Sequence, residues 1–529
     1  MVQVYLSKIE KILSNNELEK FYEIVQEAGI KKDEDVKKID ERMLEAFIRI
    51  LVEREPSRDV RVKIVNALKE LLSEAENPLA HKFSKRTPID ALPPDTRKNN
   101  FIEIYRGYRL EEVINEARRC LACRDPRCVR ACPIHFGIPA AFRLIAQGKI
   151  DTVYRMALSY YPCFGTMGRI CVRFCENACI MNEIGVEPLS IRASHRAVIE
   201  YADKNQVKLN PKPPTSRRVA IIGSGPAGIN AAYHLALMGH SVTIYEAEDK
   251  IGGVLRLHIP EFRLPAEIVE DEVSILEKLG VRFELSKRVG RDISIAELAE
   301  KYDAVFISIG ANKPKKMNIP GEDLQGVVQA LPFLYKVKKG EIQKISGRVW
   351  VVGGGDVAMD SARTALRLGA SEVKIIYRRS RTEMPADIEQ IRDAEAEGIE
   401  IMVLATPVEF IGENGVVKKM RCIRMRLGEP GPDGRRKPEP IPGSEFEVEA
   451  DYVILAVGQD PGIDFLKPED GIEITRWGTI KVDENLATTR RGFYAGGDAV
   501  RGPSTAIEAL ADGKKAAESI HAYLQSLPG

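Results

Sequence analysis

Three stretches near the start of the chain carry apolar residues at helical spacing. Leu18, Phe21, Tyr22, Ile24, Val25 and Ala28 follow Asn16 and stop at Gly29. Val36, Ile39, Met43, Leu44, Phe47, Ile48 and Leu51 form a second stripe that ends before Pro56. Val60, Ile64, Ala67, Leu68 and Leu71 form a third that ends near Pro78. Each predicts an amphipathic helix, and three such helices can bury a small core together. Residues 1–95 are therefore expected to be a helical N-terminal extension. Pro88, Pro93 and Pro94 mark its boundary.

Beyond a second proline-rich stretch, Asn210 to Ser216, the pattern changes to short β-branched runs alternating with helical segments. Val219-Ala-Ile-Ile222 opens into a glycine loop, and Arg348-Val-Trp-Val-Val352 does the same further on. This internal repeat of strand, loop, helix and strand predicts two dinucleotide-binding domains of an α/β fold.

The first loop is Gly223-Ser-Gly225-Pro226-Ala227-Gly228. Its glycines suit a tight turn, close approach of a pyrophosphate and close helix–strand packing, with the helix N-terminus facing the phosphates. The next strand, Ser241 to Tyr245, ends in Glu246, where a carboxylate can accept the hydroxyls of an adenosine ribose. The second loop is Gly353-Gly-Gly355-Asp356-Val357-Ala358, and its following strand ends in Tyr377-Arg378-Arg379, with Arg381 close behind. An arginine in place of the acid removes the diol acceptor and supplies a cation for a 2′-phosphate, so this site reads as NADP(H) rather than NAD(H). Solvated surface arginines are the plainer alternative.

Ser308-Ile-Gly310-Ala311 and Ala456-Val-Gly458-Gln459 each follow an apolar strand, as turns between two domains would. Tyr494-Ala-Gly-Gly-Asp498 and Gly502-Pro-Ser-Thr505-Ala506 resemble the flavoprotein element in which Asp holds the ribityl chain and a helix N-terminus meets the flavin. The stretch 216–529 thus resembles the flavoprotein reductases with two dinucleotide domains, the FAD domain being split around the nicotinamide domain. Disulfide reductases of that kind carry a cysteine pair near the flavin. Here no cysteine lies between Cys179 and Cys422, so electrons need another exit.

Composition narrows the field. Of 529 residues, 29% are charged and 44% hydrophobic, and the formal net charge is +1, so no global attraction to nucleic acid or anionic membrane is expected. No uncharged run approaches the ~18 residues of a membrane span. Met1 to Leu13 interleaves Lys and Glu with apolar residues and lacks a signal-peptide core. Nine cysteines are too sparse for a secreted disulfide scaffold, yet eight fall between Cys120 and Cys179. In a cytoplasmic protein, the expectation here, such grouping means metal ligands or redox groups.

Cys120-x2-Cys123-x4-Cys128-x3-Cys132-Pro133 is followed by Cys171-x3-Cys175-x3-Cys179. A cysteine run closing on Cys-Pro, with its last cysteine serving a different cluster, is the habit of two-cluster ferredoxins, and it favours iron–sulfur over the zinc that isolated Cys-x2-Cys pairs suggest.

Together, Arg119-Cys120-Leu-Ala-Cys123, Cys132-Pro133, Gly168-Arg-Ile-Cys171, Cys175-Glu-Asn-Ala-Cys179, Gly252-Gly253, Ile259-Pro-Glu-Phe-Arg263-Leu-Pro265 and Gly353-Gly-Gly-Asp-Val-Ala-Met-Asp360 make residues 97–529 similar to the glutamate synthase small-subunit family. Relatives in it include the large subunit of NADH-dependent ferredoxin:NADP oxidoreductase and the N-terminal half of dihydropyrimidine dehydrogenase. The resemblance implies FAD held by Gly223, Gly225, Pro226, Ala227, Gly228, Glu246, Gly253, Val254, Arg263, Asp498, Thr505 and Ala506. It implies NADPH held by Gly353, Gly355, Asp356, Val357, Arg378, Arg379, Arg381 and Gly458. It further implies two [4Fe-4S] clusters: one on Cys120, Cys123, Cys128 and Cys179, the other on Cys132, Cys171 and Cys175 with a non-cysteine fourth ligand. Counting from Pro188, that position is His195; the alternative that it is a helix surface residue remains open, as does Cys163 as a rival ligand. Asp356 stands where relatives have Asn, and His258 where they have Gly.

The expected layout is a helical extension (1–95), a helical iron–sulfur domain (96–210), an FAD domain in two parts (211–320 and 461–529) and an inserted NADP(H) domain (321–460). The resemblance implies an electron-transfer subunit that passes hydride from NADPH to FAD and single electrons through the clusters to a second redox subunit. By the resemblance that partner is the glutamate synthase large subunit or a ferredoxin-linked flavoprotein or hydrogenase subunit. The alternatives are a subunit of an electron-bifurcating, ferredoxin- or hydrogenase-linked assembly, or a cluster-bearing scaffold with vestigial nucleotide sites.

Overall fold

The computed structural model describes residues 13–30, 36–431 and 434–528. The leader expectation for Met1 to Leu13 lies, apart from Leu13, outside them. The chain forms two compact units: Met1–Asp90 with Gly107–Lys208, and Ala91–Arg106 with Leu209–Gly529. These boundaries differ from the segments read from sequence. The extension and the cysteine helices share one unit, and residues 91–106 belong with the nucleotide domains.

In the first unit, the three apolar stripes form α1 (Asn15–Glu27), α2 (Glu41–Arg54) and α3 (Arg58–Glu74). Asp40 caps α2 by accepting from the N–H groups of Arg42 and Met43, both at 2.9 Å, which satisfies two of the free donors at a helix start. Phe21, Ile24, Leu44, Phe47, Leu51, Ile64 and Leu72 are buried between the helices, and each such side chain contributes about 1.5–3 kcal/mol by leaving water. The bundle does not end on itself. Arg61 of α3 donates to Glu183 O and to Glu183 Oε2, both at 2.9 Å, and Arg58 donates to Asn182 O at 3.3 Å. Both acceptors lie in the turn Ile180–Ile184 that follows Cys179.

The second unit contains two parallel sheets. One has the order β16-β4-β1-β2-β3, with β1 at Arg218–Ile222, β2 at Ser241–Tyr245, β3 at Arg282–Glu284, β4 at Ala304–Ile307 and β16 at Phe493–Ala495. The other has the order β6-β14-β7-β8-β9, with β6 at Val327–Gln329, β7 at Arg348–Val352, β8 at Glu372–Tyr377, β9 at Glu400–Val403 and β14 at Tyr452–Leu455. The central strands β1, β4, β7 and β14 are almost wholly buried, as parallel strands covered on both faces require. The first sheet receives its last strand only after the second has been completed. The chain crosses out at β5 (Lys313–Pro314) and back at β15 (Gln459–Asp460), which pair antiparallel. An antiparallel sheet, β10 (Ala405–Glu413), β11 (Val416–Pro430), β12 (Arg436–Pro440) and β13 (Phe446–Glu449), packs beside the second.

Residues 91–106 run along this unit. Ile104 N–H donates to Phe262 O at 3.1 Å, and Arg97 donates to Asp393 at 3.0 Å. Asp393 also accepts from Tyr105, and Arg363 and Arg367 close on Glu397 with both side chains of each pair fully buried. Among the described residues no helix is long and apolar enough to cross a membrane.

Candidate functional site

At the first glycine loop, β1 runs into Gly223 (φ +93°), where a Cβ would stand 2.7 Å from Ser308 O. A Cβ on Gly228 would stand 2.1 Å from Gly223 O, so the helix Pro226–Leu237 packs directly on the turn. Gly225 alone of the three faces open space. The same holds in the second loop, where Gly355 meets only Pro385 Cγ at 3.8 Å. Each middle glycine therefore leaves its backbone bare at the N-terminus of a helix, which suits a pyrophosphate. The residues present fit the two dinucleotides on that ground.

Glu246 is buried at the end of β2, where its carboxylate accepts from Ser224 N–H at 3.0 Å and Glu248 N–H at 2.9 Å. Ser224 Oγ donates to the same carboxylate and accepts from Gly252 N–H at 3.1 Å. This serine ties the acid, the loop and the Gly252-Gly253 turn together, a role its position inside the loop does not announce. Gly253 (φ +52°) lies against Gly225, and Val254 begins the helix Val254–Leu257 with its side chain exposed. Asp498 begins the short helix Asp498–Arg501 and accepts from Ser504 N–H at 3.2 Å. Burial pushes its carboxyl up to about 6. Thr505 caps the helix Ala506–Ser526 through Glu508. His258 is pushed down to about 4 by burial, and its Nδ1 has no hydrogen-bond partner.

Arg263 does not point into the first loop. Its Nη1 lies 2.6 Å from Asp360 Oδ2 on the helix Asp356–Arg367 of the second domain. Asp356, at the start of that helix, is raised by burial, opposed by the Arg263 cation. The three arginines after β8 part company. Arg378 is exposed at the strand end, Arg379 is buried and donates to Arg436 O at 2.8 Å, and Arg381 pairs with Glu395. Gly458 (φ +109°) precedes β15.

In the cysteine segment, all nine thiols of the chain are free of disulfides. Burial pushes Cys120 up to about 11 and Cys123 and Cys128 to about 12, and Cys179 adds to the effect on each. Cys132 in turn bears on Cys171 and Cys175, both likewise raised chiefly by burial. Cys175 also feels Cys128, so the seven thiols influence one another across the whole segment. Among the described residues, no group of three or more His, Cys, Asp or Glu is gathered at the spacing of a single metal ion.

Backbone amides oppose burial at several of these thiols. Ala122 N–H lies 3.4 Å from Cys120 Sγ. The amide of Arg173 serves Cys171, those of Phe136, Ile134 and His135 serve Cys132, and those of Met181 and Leu189 serve Cys179. Ala122, His135 and Arg173 hold positive φ of 51°, 52° and 64°, a conformation that costs a non-glycine residue about 1–3 kcal/mol. Here that conformation turns N–H groups toward sulfur. Such amides stabilise thiolate, the ligand form, and tune the potential of an iron–sulfur group. The donor set therefore fits clusters. Sequence reasoning missed the amides, since no residue type among Ala, His and Arg signals a left-handed turn.

His195 is buried on the helix Ile191–Tyr201, with its ring centroid 4.4 Å from Phe164 and 5.1 Å from Phe136. Burial pushes it down to about 3, so it is neutral, and its Nε2 is buried without a hydrogen-bond partner. Cys163 is buried at the start of the helix Phe164–Ile170.

Two nucleotide sheets, one interrupting the other, in a chain that also carries a helical cysteine domain define a pyridine-nucleotide flavoprotein oxidoreductase with an iron–sulfur domain. The comparisons agree: a pyridine nucleotide-disulphide oxidoreductase family model matches residues 217–513, and a model described as dihydropyrimidine dehydrogenase domain II, 4Fe-4S cluster, matches residues 97–207. The chain belongs to the glutamate synthase small-chain family. It is 36% identical over 463 residues to the glutamate synthase [NADPH] small chain of Azospirillum brasilense, covering 84% of this chain and 95% of that one. The family's cofactors are FAD, NADPH and 4Fe–4S clusters. The chain is also 42% identical over 426 residues to the NADP(+)-dependent formate dehydrogenase subunit beta of Moorella thermoacetica, covering 75% of this chain but only 60% of that one. Mycobacterium tuberculosis FprA in complex with NADPH shares the fold, with a TM-score of 0.50 and 22% identity over 59% of this chain and 85% of that one.

Proposed function

We propose that this chain is an NADPH-linked electron-transfer subunit of the glutamate synthase small-subunit type. It would take reducing equivalents from NADPH and hand them to a second redox subunit in a hetero-oligomer. When bound, FAD supplies the change from a two-electron hydride to single electrons, which the clusters carry. What supports this reading is a segment of seven closely spaced cysteines, several met by backbone amides, in a chain that also has two bare glycine loops.

The amides after Gly225 and Gly355 hold phosphates, and Glu246, anchored by Ser224, accepts ribose hydroxyls. Arg378 is our cation for the 2′-phosphate, while Arg379 and Arg381 support the loop rather than the ligand. Asp498, with its raised carboxyl, would hold the polyol chain of the flavin. His195 is our eighth ligand, because an unpartnered, neutral, buried imidazole nitrogen is what an iron site requires. A cytoplasmic location is our reading, because cysteines grouped as metal ligands suit a reducing compartment.

A second reading has its own support in the 42% identity with a formate dehydrogenase subunit. In it the same electron path serves a dehydrogenase or ferredoxin-linked assembly. Anaerobic purification tests both. The protein should carry one flavin and about eight iron atoms, its flavin absorbance should bleach with NADPH, and the co-purifying subunit separates the two readings. If neither NADPH nor NADH bleaches the flavin, the enzyme reading fails altogether.

A further inference from the structure

The N-terminal bundle lies outside both matched regions, which begin at residue 97, yet its side chains close on the first cysteine set. Lys82, buried just beyond α3, donates from Nζ to Cys120 O at 2.7 Å. Its ammonium also lies 2.9 Å from Glu41 Oε1 at the start of α2, a carboxylate whose side chain is 59% exposed. One turn further along α2, Glu45 accepts from Arg124 N–H, the residue after Cys123, at 3.2 Å. On the other side, Arg61 and Arg58 hold the turn that follows Cys179. The bundle thus grips both chain segments that bear Cys120, Cys123, Cys128 and Cys179. Lys82 and Glu41 are among the charges acting on Cys120, and Glu45 acts on Cys123, whereas the leading charges at Cys171 are Cys132, Arg192 and Glu176.

We propose that the bundle is an added wall of the first cluster and that Lys82 is a positioning residue that sets its reduction potential. The inference rests on the reading that Cys120, Cys123, Cys128 and Cys179 hold a cluster. Reduction adds a negative charge to an iron–sulfur group, so a fixed cation nearby favours the reduced form, and exclusion of water strengthens the effect. Glu41 works against it from a solvent-exposed position, where screening weakens its influence. Lys82 therefore makes the first cluster a better electron acceptor than it would be without that cation, against the opposing carboxylates of Glu41 and Glu45. The second cluster is left to residues of the cysteine domain itself.

The test is an EPR-monitored potentiometric titration of the full-length protein with both clusters loaded, the first-cluster signal being assigned through Cys128→Ser. Lys82→Met should move the first cluster's midpoint to a more negative potential and leave the second unmoved. Lys82→Arg should restore the wild-type value, which a purely structural role for the lysine stem would not require. Glu41→Gln should move the same midpoint the other way by a smaller amount, and this surface change keeps the test alive should Lys82→Met fail to fold. If neither midpoint moves, or both move together, the proposal is overturned. If the wild-type protein itself shows one cluster signal and about half the iron, it is the cluster assignment that has failed instead.

Discussion

Arg263 Nη1 stands 2.6 Å from Asp360 Oδ2, a buried ion pair that joins the turn after the first nucleotide loop to the helix that begins at the second. Its two residues come from different dinucleotide domains, so the pair fixes one domain's loop against the other's helix. Arg263→Met leaves Asp360 charged and unpaired. Breaking a buried pair from one side costs about 3–5 kcal/mol, and the variant should unfold at correspondingly lower urea than the wild type. An unchanged midpoint would mean that water already reaches the pair.

The same arginine faces Asp356, whose carboxyl burial holds above the usual Asp range. In the folded state this group binds its proton more tightly than in the unfolded chain. Its contribution to stability is therefore greatest below the ordinary Asp range and is lost as pH rises through the raised value. A charged Asp356 also repels a phosphate at the helix N-terminus. NADPH affinity should fall as pH rises through that interval, and Asp356→Asn should bind ~3–10-fold more tightly at neutral pH with a flatter profile. Fluorescence titration of NADPH across the acid-to-neutral range checks both.

Arg378→Ala should erode the preference for NADPH over NADH by about 10–100-fold, the worth of a charge-assisted contact to phosphate. Arg381→Ala should leave that preference in place, because Arg381 is already engaged by Glu395. The ratio of flavin-reduction efficiencies with the two nucleotides is the measurement.

His195→Ala should change the EPR signal of one cluster only, while Cys163→Ala leaves both as they are. The reverse pattern would transfer the eighth ligand to Cys163. Iron and sulfide content distinguishes loss of a ligand from loss of a cluster.

Much of the architecture was legible because period and punctuation carry it. The apolar stripes from Leu18 to Leu71 became three helices, and the β-branched runs ending at Gly223 and Gly353 became the central strands of two parallel sheets. The cysteine spacing was equally plain, and a 4Fe-4S domain model matches residues 97–207. What could not be read is of two kinds. Backbone direction, such as the amides turned onto sulfur at Ala122 and Arg173, leaves no mark in residue type. Charged residues that pair in the interior leave no mark in an apolar pattern, so the buried group of Arg97, Arg363, Arg367, Asp393 and Glu397 is seen only in the structure, and with it the attachment of residues 91–106 to the nucleotide domains. The parting of Arg378 from Arg379 and Arg381 belongs to the same kind, since adjacent residues on a strand end face opposite sides.

The ladder between β5 and β15 bears on how such a chain can fold at all. Its two strands lie about 5 Å apart, so the whole nicotinamide domain leaves and rejoins its host through one narrow neck. To the flavin domain this long insertion has the ends of a hairpin loop. Once the inserted domain has folded on its own, joining β16 to β4 no longer carries the closure entropy of the intervening chain, only that of a short turn.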